Sequence, residues 1–191
     1  MAARAEPLPP RLAGHRHLAT WDLKHDRRAA LAVQLIFLFV AVGFVAAALL
    51  LDLPLDSGWG TIASTVVTLA SCLVYMWLHE ATHGVLLTVF SGTRSHYALR
   101  LPYLTTGNDA FVGRRAFLVV ALGPVALWGV VLLGLFAVVP AAANLTVYIL
   151  SALNVAGSAG DFYQAFRVAR LPSLAKLRDN GVETTVLIPL P

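Results

Sequence analysis

Two long stretches of this chain carry no ionised side chain. One lies between Arg28 and Asp52, and the other lies between Arg115 and Asp161. Stretches that long and that apolar are expected to lie in lipid. The composition agrees, since 58% of the 191 residues are hydrophobic and only 13% are charged, against about 25% charged in soluble domains. The sequence therefore predicts an integral membrane protein.

Four apolar segments are long enough to span a membrane. At a helical rise of about 1.5 Å per residue, each can cross a hydrocarbon core about 30 Å thick. They cover residues 29–51, 59–90, 116–139 and 145–166. Pro140 is expected to end the third helix, and Asn144 is expected to cap the fourth. We predict an all-α membrane protein with four transmembrane helices.

The basic residues predict the orientation of these four helices, because Lys and Arg flank the cytoplasmic ends of spans. They occur before the first span, between the second and third, and after the fourth: Arg4, Arg11, Arg16, Lys24, Arg27, Arg28, Arg94, Arg100, Arg114, Arg115, Arg167, Arg170, Lys176 and Arg178. The connection after the first span has Asp52 and Asp56 but neither Lys nor Arg. Both termini are therefore predicted to be cytoplasmic.

This pattern divides the chain into three parts. Residues 1–28 form a basic, proline-rich segment that is expected to be flexible, so His15, His17 and His25 are interpreted as solvated side chains rather than metal ligands. Residues 29–170 form the membrane domain, and residues 171–191 form a cytoplasmic tail. The net charge is +4, and the basic residues responsible for it flank the predicted spans. This distribution favours the lipid bilayer over nucleic acid as a partner.

The connection between the second and third spans differs from its surroundings. Residues with strand-like alternation are combined with residues typical of turns. The alternating set is Tyr97, Leu99, Leu101 and Tyr103, and the turn-forming set is Pro102, Gly107, Asn108 and Asp109. Residues 91–114 are thus predicted to form a short turn-rich loop, which could be a β-hairpin at the cytoplasmic face.

A histidine–glutamate motif lies in the second span, where the sequence reads His79-Glu80-Ala81-Thr82-His83. On a helix, His79 and His83 lie on one face about 5–6 Å apart and can bind one ion together. Imidazole suits Zn²⁺, and Glu80 can take a proton from a water that the ion has acidified. Ionisable groups at membrane depth are costly, so we interpret the motif as a catalytic zinc site rather than a buried His–Glu pair.

A catalytic zinc has three protein ligands and a water, so one more ligand is expected. Asp161 is the preferred candidate, because it is acidic, follows the long uncharged stretch and lies about 9 Å inward of Arg167 at helical rise. A salt bridge from Asp161 to Arg167 or Arg170 is the alternative, and His96 is a weaker candidate ligand. Asn154 is left open between a substrate- or oxyanion-binding role and a hydrogen bond between helices.

These motifs resemble an uncharacterised prokaryotic membrane family of zincin peptidases. The resemblance covers roughly residues 77–189 and rests on the histidine motif followed by Gly84, the Gly123-Pro124 pair, and a late element of Asn154, Gly157, Ser158, Gly160, Asp161, Phe162 and Tyr163. It implies a prokaryotic plasma membrane protein.

The arrangement is also similar to site-2 proteases, which are intramembrane metalloproteases with the histidine pair and an aspartate ligand on separate spans. By that resemblance, His79, His83 and Asp161 bind zinc and Glu80 is the base. Site-2 proteases carry Asn-Pro and Asp-Gly pairs, whereas Val155 follows Asn154 here and Asp161 is followed by an aromatic residue. The substrate is therefore expected to differ.

The sequence thus predicts a zinc-dependent endopeptidase that cleaves membrane-associated proteins near the cytoplasmic face. One alternative is a non-catalytic zinc-binding scaffold or chaperone-like protein, which would have no need of Glu80. Another is a metal transporter, which would need polar groups along its whole path, whereas the outer halves of the spans are expected to hold almost none. The pattern specifies no oligomeric state.

Overall fold

The computed structural model describes residues 12–22, 25–55, 57–100 and 103–190. Its helices are α1 (Arg27–Leu50), α2 (Thr61–Ser91), α3 (Arg114–Val138), α4 (Asn144–Gly157) and α5 (Ala159–Ala169). A short 3-10 turn, Ala141–Ala143, precedes α4. Its strands are β1 (His15–Trp21), β2 (His96–Arg100), β3 (Tyr103–Gly107), β4 (Val112–Gly113), β5 (Lys176–Asp179) and β6 (Thr184–Pro189).

Four helical segments are long and apolar enough to cross a membrane, as the sequence predicted. Three of them are α1, α2 and α3, while α4 and α5 belong to the fourth, Ala141–Ala169. The fourth segment is interrupted at Ser158, whose hydroxyl donates to the carbonyl of Asn154 at 2.8 Å. This interruption begins a new helix that carries Asp161 in its first turn.

The helix ends follow local chemistry, with one exception to the prediction. Asp26 caps α1 by accepting hydrogen bonds from two backbone N–H groups of the first turn. The third helix ends just before Pro140, as expected. Asn144 does not cap α4, because the 3-10 turn already supplies helical geometry ahead of it, and its side-chain amide lies 3.5 Å from the carbonyl of Pro54.

The all-α prediction was incomplete, because β1, β4, β5 and β6 form a four-stranded antiparallel sheet. Its strands are ordered β1-β6-β5-β4. The segment containing β1 was expected to be flexible, but His15 to Trp21 pair along β6, with His15 opposite Pro189. The β5–β6 connection contains Asn180 and Gly181, and Gly181 has a φ of +78°, a left-handed conformation that glycine adopts without strain.

The predicted hairpin between the second and third helices is confirmed. Strands β2 and β3 pair antiparallel, from His96 opposite Gly107 to Arg100 opposite Tyr103. Leu101 and Pro102 lie outside the described residues, as do the proline-rich leader 1–11, Lys24 and Asp56. The strand alternation read from the sequence therefore corresponds to a two-stranded sheet.

The sheet is held against one end of the helix bundle by a buried apolar cluster. This cluster comprises Trp21, Val112, Phe117, Ala121, Ala165, Val168, Leu177 and Val186. A second cluster of Tyr75, Leu132 and Val147 joins α2, α3 and α4. Because the first cluster contains residues of α3 and α5, the sheet covers the end of the bundle where Asp161 lies.

Cysteine accessibility tests the predicted orientation. In a Cys72→Ala background, which removes the only cysteine, a Ser173→Cys variant is expected to react with a membrane-impermeant maleimide only after cells are permeabilised. An Ala141→Cys variant is expected to react in intact spheroplasts, because the positive-inside rule places this turn outside. Both positions are exposed. Labelling of Ser173→Cys in intact spheroplasts would contradict the orientation.

Candidate metal centre

Three side chains converge where α2 meets α5. Nε2 of His79 lies 3.5 Å from one carboxylate oxygen of Asp161, and Nε2 of His83 lies 3.5 Å from the other. One potential ligand atom from each residue lies within 4.8 Å of the other two. A tetrahedral zinc with bonds of 2.0–2.1 Å separates its ligand atoms by about 3.3 Å. Two imidazoles and a carboxylate at these separations therefore fit zinc.

The alternative partners of Asp161 are engaged elsewhere. The guanidinium carbon of Arg167 lies 3.9 Å from the ring centroid of Trp21. That of Arg170 lies 4.0 Å from the ring centroid of Phe166. Cation–π contacts of this kind hold both arginines on aromatic faces. Asp161 thus faces the histidines and not the arginines that the sequence offered as an alternative.

The second nitrogen of each imidazole is bonded to the protein. Nδ1 of His83 lies 2.9 Å from the carbonyl oxygen of Val120 on α3. Nδ1 of His79 lies 3.0 Å from the hydroxyl of Tyr75, one turn earlier on α2. With Nδ1 engaged in both rings, the Nε2 atoms are directed at Asp161 and at a common point between the three residues.

The two remaining candidates from the sequence lie outside this cluster. Asn154 is 2% exposed, accepts a hydrogen bond from Tyr75 at 2.6 Å and donates to the carbonyl of Val125 at 3.1 Å. Both ends of its amide are engaged, which favours the interhelical alternative over a substrate contact. His96 lies on β2, with Nε2 3.3 Å from the carbonyl of Asn180.

Glu80 lines two cavities that meet at the cluster. The larger, of about 530 Å³, lies between α1, α2 and the α4–α5 interruption. Apart from Glu80 and the clustered side chains, its lining is apolar except for Gln34 and Tyr75. The smaller, of about 180 Å³, lies beneath the hairpin and the four-stranded sheet. Asp161 also lines both cavities. Glu80 is thus placed where water and a ligand can approach the three clustered side chains.

The sheet adds polar residues that sequence reasoning missed. Asp179 and Thr184 line the smaller cavity together with Gln164. Asp179 accepts hydrogen bonds from the N–H of Gly181 at 2.8 Å and from the hydroxyl of Thr184 at 3.1 Å. Burial raises the pKa of the Asp179 carboxyl, and these two hydrogen bonds oppose the rise. No local pattern marks Asp179 or Thr184 as site residues, since they reach the site only when the tail folds back.

The hairpin is bonded to the turn of α2 that carries the motif. The hydroxyl of Thr106 donates to the carbonyl of Glu80 at 3.0 Å, and the hydroxyl of Ser95 donates to the carbonyl of Gly84 at 3.0 Å. Tyr97 lies so close to Gly84 that a Cβ at this position would overlap its hydroxyl group. The absence of a side chain at Gly84 therefore permits the hairpin to approach the helix.

The half of α2 away from the metal centre is more polar than the sequence indicated. Hydroxyl-bearing residues line a cavity of about 530 Å³ there: Ser57, Thr61, Ser64, Thr65 and Thr68. The described residues that line it include no carboxylate and no imidazole, and Cys72 is the one thiol among them. Transition-metal sites in proteins use imidazole, carboxylate and thiolate ligands, so this cavity lacks the succession of ligands that metal transport would need.

The fold thus brings two motif histidines and a distant aspartate to one point, where the three side chains could hold a metal ion. The chain belongs to the family described as "Putative zincin peptidase", whose model matches residues 72–175, just over half of its length. The match includes His79, Glu80, His83 and Asp161. No curated protein and no solved structure matches the chain. Family membership supports a zinc-dependent peptidase in general terms and confirms the zincin resemblance.

Proposed function

We propose that this chain is a membrane-embedded zinc endopeptidase that hydrolyses membrane-associated proteins near the cytoplasmic face of a prokaryotic plasma membrane. The observation that carries the proposal is the convergence of His79, His83 and Asp161 on helices apolar enough to lie in a bilayer. A histidine pair on one helix and an aspartate on a later one is also the site-2 protease arrangement. In this proposal the lipid bilayer surrounds the helices and is the partner of the protein.

His79, His83 and Asp161 would hold the metal. Two imidazole nitrogens and one carboxylate oxygen form a three-ligand set, which leaves a fourth zinc position for water or substrate. Zinc, when bound, acidifies a coordinated water and polarises the carbonyl to be attacked. The carboxylate of Asp161 compensates much of the positive charge that would otherwise be buried among apolar helices.

Glu80 acts first as general base and then as general acid. It follows the first histidine in the motif and lines both cavities at the cluster. It removes a proton from the water as the water oxygen bonds to the scissile carbonyl carbon. It returns that proton to the amine as the carbon–nitrogen bond breaks. The products are a carboxylic acid and a free amine.

Strand β3 offers a place for the substrate backbone. A peptide in lipid is helical with its own hydrogen bonds satisfied, so it must unwind to present a scissile carbonyl. Thr105 and Thr106 of β3 line the smaller cavity together with Glu80. Within the described residues, β3 pairs with β2 alone. An extended segment added beside β3 would lie along the metal centre.

The main alternative is a zinc-binding scaffold or chaperone-like protein without catalysis. A purely structural zinc site is normally closed by four protein ligands. Among the described residues the cluster has three such ligands, and Glu80 faces the same cavities without belonging to it. An ionisable group kept at membrane depth outside the ligand set favours a chemical role.

Zinc stoichiometry of the detergent-purified protein tests the ligand set. The native chain is expected to bind one zinc, and Asp161→Ala is expected to lose it because a ligand is removed. Glu80→Gln is expected to keep it. Asp179→Asn is the matched control, since it changes a nearby buried carboxyl that is not in the cluster. Native protein without zinc would contradict the proposal.

New peptide termini test the catalytic role. Membranes from cells that produce the native chain are expected to contain cleaved N-termini that are missing from cells with Glu80→Gln. Loss of a general base lowers a rate by about 10²–10⁴. The readout is mass spectrometry of labelled N-termini. The same termini in both samples, with zinc bound in both proteins, would support the scaffold alternative.

A proline in β3 tests the route of the substrate backbone. Thr105→Pro removes a backbone N–H and distorts the strand, so the termini that depend on Glu80 are expected to decrease. The zinc content should stay at the native value, because Thr105 lies outside the metal cluster. Unchanged cleavage in this variant would contradict strand addition at β3.

A further inference from the structure

A proline inside α3 creates the acceptor that orients His83. Pro124 is buried in the middle of the helix and has no N–H, so the carbonyl of Val120, four residues earlier, loses its helical partner. Nδ1 of His83 lies 2.9 Å from this oxygen. A carbonyl can only accept, so Nδ1 of His83 carries a proton. In the neutral ring that metal binding requires, Nε2 then presents its lone pair toward Asp161.

His79 is oriented by a longer chain of hydrogen bonds that also ends on α3. The hydroxyl of Tyr75 donates to Oδ1 of Asn154 at 2.6 Å. Since that single proton is used, the hydroxyl oxygen accepts from Nδ1 of His79 at 3.0 Å. Nδ2 of Asn154 donates to the carbonyl of Val125 at 3.1 Å, one residue after Pro124. The amide of Asn154 cannot turn over without losing both bonds.

The side chains in this series of hydrogen bonds are buried between closely packed helices, which fixes their geometry. Asn154 is 2% exposed and Tyr75 is 5% exposed, so water does not compete for their hydrogen bonds. A Cβ at Gly123 would meet the end of the Leu86 side chain, so glycine leaves room for that side chain between α2 and α3. Gly123 thus contributes to the packing of α3 against α2, and Pro124 leaves the carbonyl of Val120 without a helical partner.

We propose that Pro124, Tyr75 and Asn154 are positioning residues for the metal centre. They hold both imidazoles in the Nδ1–H tautomer, with each Nε2 directed at the ion. This inference rests on the proposed function, because it takes His79 and His83 as ligands. The outer partners of metal-binding histidines fix the tautomer and the ring orientation, and their loss typically lowers metal affinity about 10- to 100-fold.

Zinc affinity of the detergent-purified full chain, measured by competition with a chelator, tests the role of Tyr75. Tyr75→Phe keeps the ring and removes the hydroxyl, and it is expected to weaken zinc binding about 10- to 100-fold. The matched control is Thr68→Val, which removes another buried hydroxyl bond between α2 and α4, that of Thr68 with Thr146 at 2.8 Å. The control is expected to bind zinc with native affinity.

Cobalt substitution gives a readout that a packing defect would not move. The visible absorption of bound Co²⁺ depends on ligand geometry, so Tyr75→Phe is expected to shift the spectrum and Thr68→Val is not. Native affinity and a native spectrum in Tyr75→Phe would overturn the inference. Equal losses of affinity in Tyr75→Phe and Thr68→Val would overturn it as well, because helix packing would then explain both.

Pro124→Ala separates metal positioning from stability. The new N–H competes with His83 for the carbonyl of Val120, so zinc affinity is expected to fall about tenfold. The helix regains a hydrogen bond, so the zinc-free protein is expected to unfold at the native temperature or above. Native zinc affinity in this variant would overturn the inference. If the native chain itself bound no zinc, the proposed function would be contradicted. If the native chain bound zinc and Pro124→Ala bound it equally well, only the positioning inference would be contradicted.

Discussion

The carboxylate of Asp161 between two imidazoles is the interaction on which the rest of this molecule depends. An ionisable group at membrane depth is costly, so it is retained only where partners compensate. Here His79 and His83 lie 3.5 Å from its two oxygens. A zinc ion bound between these groups would be stabilised by the negative charge of the carboxylate and by the two imidazole nitrogens.

Three features of the structure support this meeting point. The interruption at Ser158 places Asp161 in the first turn of α5. The proline in α3 would cost about 3 kcal/mol or more in an ordinary helix interior, and in return it frees a carbonyl beside His83. The hairpin is bonded to the α2 turn that carries the motif. These three features therefore lie next to the candidate metal ligands.

Much of the helical architecture was predictable from the sequence, and the sheet was not. The four predicted spans begin and end within three residues of the observed helical segments, because hydropathy is a local property of the chain. The break at Ser158 within the fourth span was not predicted. The alternation around Tyr97 likewise marked β2. The Asn180-Gly181 turn was a readable hairpin signal that was missed. Strand β1 had no such signal, since its partner β6 lies at the opposite end of the chain.

The sequence by itself determined the apolar spans, the spacing of His79 and His83 on one helical face, and Asp161 as the acid beyond an uncharged stretch. These follow from composition and helical periodicity. Only the tertiary structure decided that Asp161 faces the histidines, that Asn154 lies between helices, and that Val120 accepts from His83. Such contacts depend on how separate helices cross and align. One-dimensional spacing carries no information about that alignment, because packing between helices sets it.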